Sequence, residues 1–433
     1  MPVFLDTKDP GFEPAFQALL ASKREDSVDV DDTVAAIIAK VREGGDAAVL
    51  ALTEEFDRVT LTPETMRLSD QEVAAYCAQV SDADRAALTL AADRIRAYHL
   101  RQMPQDESWQ DAAGATLGWR WRPVSAAGLY VPGGLASYPS SVLMNAVPAK
   151  VAGVDRLAMV VPTPDGVVNP LVVLAAHLSG VDEIYRIGGA QAVAALAYGT
   201  ETIAPVDKIT GPGNAYVAAA KRRVFGRVGI DMIAGPSEIL VIADADNDPD
   251  WLALDLLSQA EHDTAAQSIL MTTDAAFGQA VAAAVEARLP NLERSAIAGE
   301  SWRENGAVIT VQSLDEAVAL TDRIAPEHLE ICTADPEALA DQIQHAGAIF
   351  LGPWTPEAVG DYVGGPNHVL PTARSARFSS GLSVMDFLKR TTLARMTPDA
   401  LRAIGPAAET LARSESLEAH GLSVTARLEK LNR

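Results

Sequence analysis

The sequence predicts an α/β protein with two Rossmann-like, doubly wound domains and small helical pieces at both ends. Three segments open alike at Val154, Val181 and Val206, and their starts lie about 26 residues apart. That spacing fits one strand, one helix and two short loops, repeated as right-handed parallel units. A second strand–helix–strand pattern covers residues 239–272, which predicts another parallel sheet.

Composition supports a large globular protein. The chain has 433 residues, more than one ordinary hydrophobic core accommodates, so two large domains are expected. Hydrophobic residues make up 48% and charged residues 21% of the chain, as in soluble proteins. The net charge of -23 argues against nucleic-acid binding, because a phosphate backbone requires a basic surface. A dinucleotide, which a few backbone amides can hold, stays possible.

Targeting signals and cysteine usage favour a cytoplasmic protein. Residues 1–20 contain three acidic residues where a secretory signal needs a basic start and an apolar run. The most apolar stretch, residues 157–178, is interrupted by three prolines, so we expect no membrane span. The two cysteines, Cys77 and Cys332, form no disulfide framework and are expected in the core.

The N-terminal third is predicted to be a scaffold without chemistry. Residues 32–43 have apolar residues at helical spacing and end at two glycines. Residues 69–98 predict a helix in two parts with a break at Ser81, and residues 109–123 alternate as strands do.

Two glycine-rich turns follow predicted strands and lead into helices. One contains Gly188, Gly189 and Gln191, and the other contains Gly211 and Asn214. Glycine lets the backbone approach a phosphate, and a helix N-terminus presents free amides to it. Neither turn has the G-x-G-x-x-G pattern. The turns could therefore bind a nucleotide or could simply pack a helix tightly onto a sheet.

A helix running from Pro249 to His262 predicts a possible metal site. Gln259 and His262 are three residues apart, so one helix face would offer an amide oxygen and an imidazole nitrogen. The candidates for the remaining ligands are Asp361 and His420. The alternative is an ordinary solvated helix face.

Seven motifs, in order along essentially the whole chain, resemble the histidinol dehydrogenase family. Two of them contain Gly-Pro-Ser-Glu ending at Glu238 and Pro-Glu-His ending at His328. The seven motifs occupy residues 130–134, 210–214, 230–243 with 259–262, 325–331, 361–371, 380–387 and 415–420. The resemblance implies oxidation of L-histidinol to L-histidine through L-histidinaldehyde, with two NAD+, one water and a zinc ion in each subunit.

The resemblance assigns zinc to Gln259, His262, Asp361 and His420. Nitrogen and oxygen donors suit Zn²⁺, and a site without thiolates is typical of a catalytic metal. A purely structural zinc is the alternative, although structural sites usually contain cysteine.

The resemblance assigns catalysis to Glu327 and His328. His328 would accept the hydroxyl proton as general base, and Glu327 would activate the water that attacks the aldehyde. Pro326 is expected to begin a helix with both side chains in its first turn. The alternative for Glu327 is a carboxylate favoured there by the helix dipole.

The remaining assignments concern substrate and cofactor. NAD would contact Tyr130, Gln191 and Asn214. The substrate-binding residues implied by the resemblance are Ser237, Gln259, His262, His328, Asp361, His368, Glu415 and His420. His368 has only a supporting role, and its alternative is a loop histidine bonded to the backbone.

The resemblance also implies a domain plan and an intertwined homodimer. Residues 1–25 form an N-terminal helical segment packing with the C-terminal part, and residues 26–129 with 236–381 form the domain of the metal and catalytic residues. Residues 130–235 form the NAD-binding domain. Residues 382–433 form a helical tail that reaches the partner subunit and brings Glu415 and His420 to a shared site.

Two other functions stay open. One is a paralogous zinc and NAD dehydrogenase acting on another small polar alcohol, such as a sulfonated diol. The other is a non-catalytic metal or nucleotide sensor, which would have no use for the pair Glu327 and His328.

Overall fold

The computed structural model describes residues 2–21, 28–133, 138–233 and 235–432. Gly134 and Ala234, which belong to two of the motifs above, and part of the predicted segment 1–25 lie outside the described residues. The chain divides into two compact units. The first unit is Met1–Gln102 with Ser125–Phe387, and the second is Met103–Val124 with Leu388–Arg433.

The strands and helices of the described residues are numbered in chain order. The strands are β1 (Val3–Asp6), β2 (Glu107–Gln110), β3 (Thr116–Pro123), β4 (Ala126–Tyr130), β5 (Arg156–Val160), β6 (Glu183–Tyr185), β7 (Lys208–Thr210), β8 (Gly229–Ile230), β9 (Glu238–Ala243), β10 (Gln267–Thr272), β11 (Ala307–Thr310), β12 (His328–Cys332), β13 (Ala348–Leu351) and β14 (Leu388–Arg395). The helices are α1 (Phe12–Ala21), α2 (Val28–Asp57), α3 (Pro63–Met66), α4 (Asp70–Cys77), α5 (Asp82–Leu100), α6 (Pro139–Ala152), α7 (Pro170–Ser179), α8 (Gly189–Tyr198), α9 (Ala215–Val224), α10 (Pro249–Ala260), α11 (Ala275–Arg288), α12 (Ser295–Asn305), α13 (Leu314–Ile324), α14 (Pro336–Ala340), α15 (Glu357–Tyr362), α16 (Pro398–Ser414) and α17 (Glu418–Leu431).

The larger sheet of the first unit, sheet A, is parallel, with the order β1-β11-β10-β9-β12-β13. Apart from β1, the strands follow the doubly wound order 3-2-1-4-5 when counted along the chain. Every residue of β9, β10 and β12 is buried, because helices cover both faces. Core residues of α10, α11 and α12 pack on one face, and those of α1 and α13 on the other.

The smaller sheet of the first unit, sheet B, repeats this topology. It is also parallel, with the order β6-β5-β4-β7-β8, which is again 3-2-1-4-5 along the chain. The three predicted repeat openings lie directly before β5, β6 and β7. Helices α2, α8 and α9 share a core with this sheet. The prediction of two doubly wound sheets is therefore confirmed.

The N-terminal helices begin and break near the predicted residues. Gly45 has a φ of 52° and interrupts α2, a conformation that costs glycine little. Ser69 and Ser81 cap α4 and α5, each accepting a hydrogen bond from a backbone N–H of the first turn. Both cysteines are buried, as expected.

The grouping of elements differs from the predicted domain plan. The boundary between residues 129 and 130 falls inside β4, because the buried apolar run of that strand continues to Tyr130. Strand β1 pairs with β11 and extends sheet A, while α2 packs on the helices of sheet B. No helix among the described residues is long and apolar enough to cross a membrane.

The second unit combines a small antiparallel sheet with two helices. Strand β3 pairs with β2 and with β14, and α16 packs against α17. The C-terminal piece, predicted as a helical tail, thus contains a strand as well. Arg390 of this strand, β14, places its guanidinium carbon 5.9 Å from the ring centroids of both Trp119 and Trp121 on β3.

Candidate active site

Glu327 and His328 stand at the amino end of a strand, which corrects the predicted helix. Helix α13 ends at Ile324, and Ala325, which follows it, has a left-handed φ of 48°. His328 is the first residue of β12. In the sheet His328 pairs with Ile239 and Ala348. The stretch from His328 to Cys332 is buried on both faces of the sheet, so tertiary packing overrides the helix-starting preference of Pro326.

The His328 ring is buried and has a defined proton arrangement. Its Nδ1 lies 3.0 Å from the backbone oxygen of Glu238, and a carbonyl oxygen only accepts, so Nδ1 carries the hydrogen. Nε2 is then the basic nitrogen, and it has no hydrogen-bond partner among the described residues. It lies 3.6 Å from Glu357 Oε1 and 3.8 Å from Asp361 Oδ1. The ring is arranged to accept a proton from a bound group.

The Glu327 carboxylate is positioned by the same strand as the His328 ring. The backbone N–H of Glu238 donates to Glu327 Oε2 at 2.9 Å, and that oxygen lies 3.7 Å from His328 Nδ1. The first residue of β9 therefore holds both candidate catalytic side chains, one through its N–H and the other through its carbonyl oxygen.

Glu357 is a site residue that the sequence analysis missed. It lies four residues before Asp361 on α15, so both carboxylates lie on one face of this helix. The spacing of four residues is the sequence signal that could have identified the pair. Ligand atoms of His328, Glu357 and Asp361 lie within 4.8 Å of one another, an arrangement that could hold a metal ion. Burial, with help from the Asp361 charge, raises the pKa of Glu357 to about 8.

Gln259 and His262 lie at the end of α10, which stops at Ala260 and is shorter than predicted. The turn that follows keeps them together, and the His262 N–H donates to the Gln259 backbone oxygen at 3.2 Å. Gln259 is 0% exposed, and neither atom of its amide has a hydrogen-bond partner among the described residues. Such a buried, unpaired amide is costly unless it meets a ligand.

The surroundings of His262 favour a neutral ring. Burial lowers the pKa of His262, and the opposing charge of nearby Asp361 offsets this only in part. His328 and His368 are close enough to add to the lowering. A neutral imidazole is the form that binds a metal ion.

Two predicted substrate residues border this group. His368 Nδ1 donates to the backbone oxygen of Asp361 at 2.9 Å, and its Nε2 lies 3.5 Å from Ser141 Oγ. The ring is thus bonded to the backbone of the segment that carries Asp361, and its supporting role in substrate binding stays a prediction. Ser237 is half-buried and directly precedes β9.

The predicted NAD residues gather at the carboxyl edge of sheet B. The Tyr130 hydroxyl accepts a hydrogen bond from the Gly189 N–H at 3.0 Å, and burial raises the pKa of Tyr130 to about 12. The side-chain oxygen of Gln191 is buried without a partner among the described residues. Asn214 Oδ1 caps α9 by accepting from Val217 N at 3.2 Å, so this residue has a structural role in any case.

The turn before α8 leaves no room for a side chain. A Cβ atom added to Gly188 would overlap the ring of Pro162, so glycine is required for the close approach of the two turns. The turn therefore brings the start of α8, whose first N–H group donates to Tyr130, close to the segment that follows β5.

Glu415 and His420 belong to the second unit. Glu415 follows α16 directly, His420 lies in the first turn of α17, and both side chains are exposed. Their predicted roles in substrate and zinc binding stay predictions.

Comparison with known proteins decides the family. The family model described as histidinol dehydrogenase matches residues 20–428. The chain belongs to the histidinol dehydrogenase family. It is 77% identical over 432 residues to a histidinol dehydrogenase of Ruegeria pomeroyi and 76% identical to that of Cereibacter sphaeroides, with 100% of each chain covered. The crystal structure of histidinol dehydrogenase from Elizabethkingia anophelis matches with a TM-score of 0.95 and 37% identity, covering 100% of this chain and 99% of that one.

Histidinol dehydrogenase membership confirms the resemblance drawn from the seven motifs and makes the chain an oxidoreductase of this type. The first unit brings Gln259, His262, Glu327, His328 and Asp361 to one region at the amino edge of sheet A. The unpaired buried amide of Gln259 and the ring of His262, whose pKa burial lowers, fit a metal ion. The glycine turns and buried polar atoms of sheet B fit a dinucleotide.

Proposed function

We propose that this protein oxidises L-histidinol to L-histidine through L-histidinaldehyde. The alcohol loses a hydride and a proton, the aldehyde adds one water, and the hydrate loses a second hydride and further protons. Two NAD+ are thereby reduced to two NADH, which balances the four electrons removed. The single observation that carries this proposal is the buried His328 ring, whose free Nε2 faces the carboxylates of Glu357 and Asp361.

His328 acts as the general base of the alcohol step. Because Nδ1 donates to the Glu238 backbone, Nε2 can take the hydroxyl proton without a change of tautomer. Glu327 acts in the aldehyde step, where a carboxylate draws a proton from the attacking water. The Glu238 N–H holds one oxygen of that carboxylate, which supports a fixed orientation.

A zinc ion would be held by Gln259, His262, Asp361 and His420. When bound, it supplies a Lewis acid that orients the substrate and stabilises negative charge developing on the reacting oxygen. The unpaired amide of Gln259 and the lowered pKa of His262 support this choice of ligands. Glu357 lies close enough to Asp361 and His328 to be an additional ligand or to position one.

NAD would bind at Tyr130, Gln191 and Asn214, with its pyrophosphate near the N-termini of α8 and α9. A bound nucleotide would supply the hydride acceptor for each oxidation. Ser237 and Glu415 would bind the substrate, and a carboxylate at Glu415 suits its imidazole or ammonium group.

Glu415 and His420 would complete the site of a partner subunit in a homodimer. Their exposure in the single chain is consistent with that role. Coexpression of two inactive variants, His262→Asn and His420→Asn, tests it. If the tail serves the partner, the mixed dimer has one intact site and regains activity; failure to regain activity in verified mixed dimers contradicts the shared site.

A substrate panel tests the reaction. Purified protein should turn over L-histidinol with NAD+ and yield two NADH for each histidine. The paralogous alternative predicts a higher kcat/KM for another small polar alcohol, such as a sulfonated diol. The sensor alternative predicts NAD binding without NADH production. Either outcome would overturn the proposed function.

A further inference from the structure

Asp57, the last residue of α2, has a buried carboxylate that the proposed mechanism does not use. The residue is 8% exposed, and its Oδ2 has no hydrogen-bond partner among the described residues. Its neighbour Arg58 is already engaged, because Nε and Nη2 donate to the carboxylate of Asp165 at 2.8 and 2.7 Å. A buried carboxylate without a cation is costly, so a bound partner is expected.

The position of this carboxylate, on α2 beside sheet B, indicates which kind of ligand it could bind. Asp57 lies against the backbone N–H of Thr163, three residues beyond the end of β5, and its charge acts on the hydroxyl of Tyr130 at the end of β4. In the order 3-2-1-4-5, β4 is the first strand and β5 the second. Dinucleotide-binding sheets place an acidic residue at the end of the second strand, where it accepts hydrogen bonds from ribose hydroxyls.

In this chain the second strand itself supplies no acid at that place. Strand β5 is followed by Val161, Pro162 and Thr163, so a side chain from a distant helix occupies the position. Three further buried oxygens without partners among the described residues line the same edge of the sheet, namely Thr163 Oγ1, Gln191 Oε1 and Thr210 Oγ1. The edge is therefore equipped for a polar ligand with several hydroxyl groups.

We propose that Asp57 binds the hydroxyl groups of the adenosine ribose of NAD and thereby selects NAD over NADP. This rests on the proposed NAD site and adds a specificity residue to it. The vicinal hydroxyls of a ribose donate to a carboxylate, whereas a 2′-phosphate would bring negative charge against it. Burial raises the pKa of the free Asp57 carboxyl, and hydroxyl donors would favour its ionised form.

Direct binding measurements on the full chain test the proposal without relying on turnover. The dissociation constants of NADH and NADPH are measured by nucleotide fluorescence for the wild type, for Asp57→Asn and for the control Glu55→Gln. Glu55 lies two residues earlier on α2 and is exposed, so it matches the change of charge outside the site. Asp57→Asn should weaken NADH binding roughly 10-fold to 100-fold, the loss expected for hydrogen bonds to a charged acceptor, and should narrow the preference for NADH over NADPH.

A nucleotide analogue keeps the test decisive if the variant folds poorly. The 2′-deoxyadenosine form of NADH should bind the wild type more weakly than NADH does, and Asp57→Asn should remove most of that difference. The inference would be overturned if a folded Asp57→Asn variant kept the wild-type affinity for NADH and the wild-type preference for NADH over NADPH. It would also be overturned if the wild type bound NADH and the 2′-deoxyadenosine form of NADH with equal affinity. If the wild type binds neither nucleotide, the proposed NAD site fails as well, which separates the two failures.

Discussion

The two parallel sheets of the first unit share one strand order but gather their polar groups at opposite edges. Sheet B has Tyr130, Gln191 and the glycine turns at its carboxyl edge, where α8 and α9 begin. Sheet A has Glu327 and His328 at its amino edge, beside the C-terminal end of α10.

Helix ends explain what each edge can bind. A helix N-terminus presents free N–H groups and partial positive charge, which suits the phosphates of a dinucleotide. A helix C-terminus presents free carbonyl groups and partial negative charge, which suits a metal ion. A shared topology therefore does not fix a shared site. What a sheet can bind depends on which of its edges carries the polar side chains and on whether helices begin or end at that edge.

The largest expected effect comes from the base at the amino edge of sheet A. His328→Asn should lower the rate of histidinol oxidation by about 10²- to 10⁴-fold, because the variant cannot accept the hydroxyl proton. Single-turnover kinetics with L-histidinol measures this, and NADH affinity should stay unchanged because the nucleotide edge lies on the other sheet. The exposed histidine variant His177→Asn is the control. Near-normal histidinol oxidation in His328→Asn would refute the assigned base.

The neighbouring carboxylate should separate the two half-reactions. Glu327→Gln should slow oxidation of L-histidinaldehyde by about 10²- to 10³-fold while slowing the alcohol step much less, because only the aldehyde step consumes water. Both half-reactions are followed by NADH formation, with the exposed variant Glu337→Gln as control. Equal losses in the two half-reactions would contradict the role given to Glu327.

Metal content should depend on the proposed zinc ligands and be independent of the nucleotide edge of sheet B. Gln259→Ala should reduce zinc affinity by at least about tenfold, since even partners outside the ligand shell contribute that much. Zinc is quantified per subunit after dialysis against a graded chelator, and NADH binding is measured on the same samples. The exposed variant Gln79→Ala should retain its metal. Loss of NADH binding together with zinc would show that the two edges are not independent, and full activity of metal-free protein would exclude a catalytic metal.

The smallest expected effect concerns the stability of sheet B. Burial raises the pKa of Asp57 above its unfolded value, so its favourable contribution to folding is present at low pH and is lost as pH rises through the folded-state pKa. Without nucleotide, Asp57→Asn should therefore match the wild type below the ordinary titration range of a carboxyl and become the more stable of the two as pH rises beyond that range, by at most about 1 kcal/mol. Thermal unfolding across pH measures this. A variant that loses stability as pH rises relative to the wild type would show that the carboxylate has a stabilising partner.

Several features were predictable because their signals are local. The repeat openings at Val154, Val181 and Val206 predicted β5, β6 and β7, since strand and helix periodicity is visible within about 26 residues. The caps at Ser69 and Ser81 were predictable for the same reason. The family followed from motifs whose order and residues the chain itself displays.

Other features required the tertiary structure. Pro326 favoured a helix locally, but the buried pairing of β12 with β9 and β13 makes His328 the start of a strand. Asp57 and Thr163 are far apart in sequence, and only the packing of α2 on sheet B brings them together.

The sequence by itself thus determined the fold class, the family and most of the candidate site residues, because these depend on local periodicity and on motifs. The tertiary structure decided which edge of each sheet presents them and which of their atoms are buried without partners among the described residues. It also placed Glu357 beside His328 and Asp361 and buried the carboxylate of Asp57. The physical reason is that desolvation and hydrogen-bond pairing depend on neighbours distant in sequence, so no local pattern specifies them.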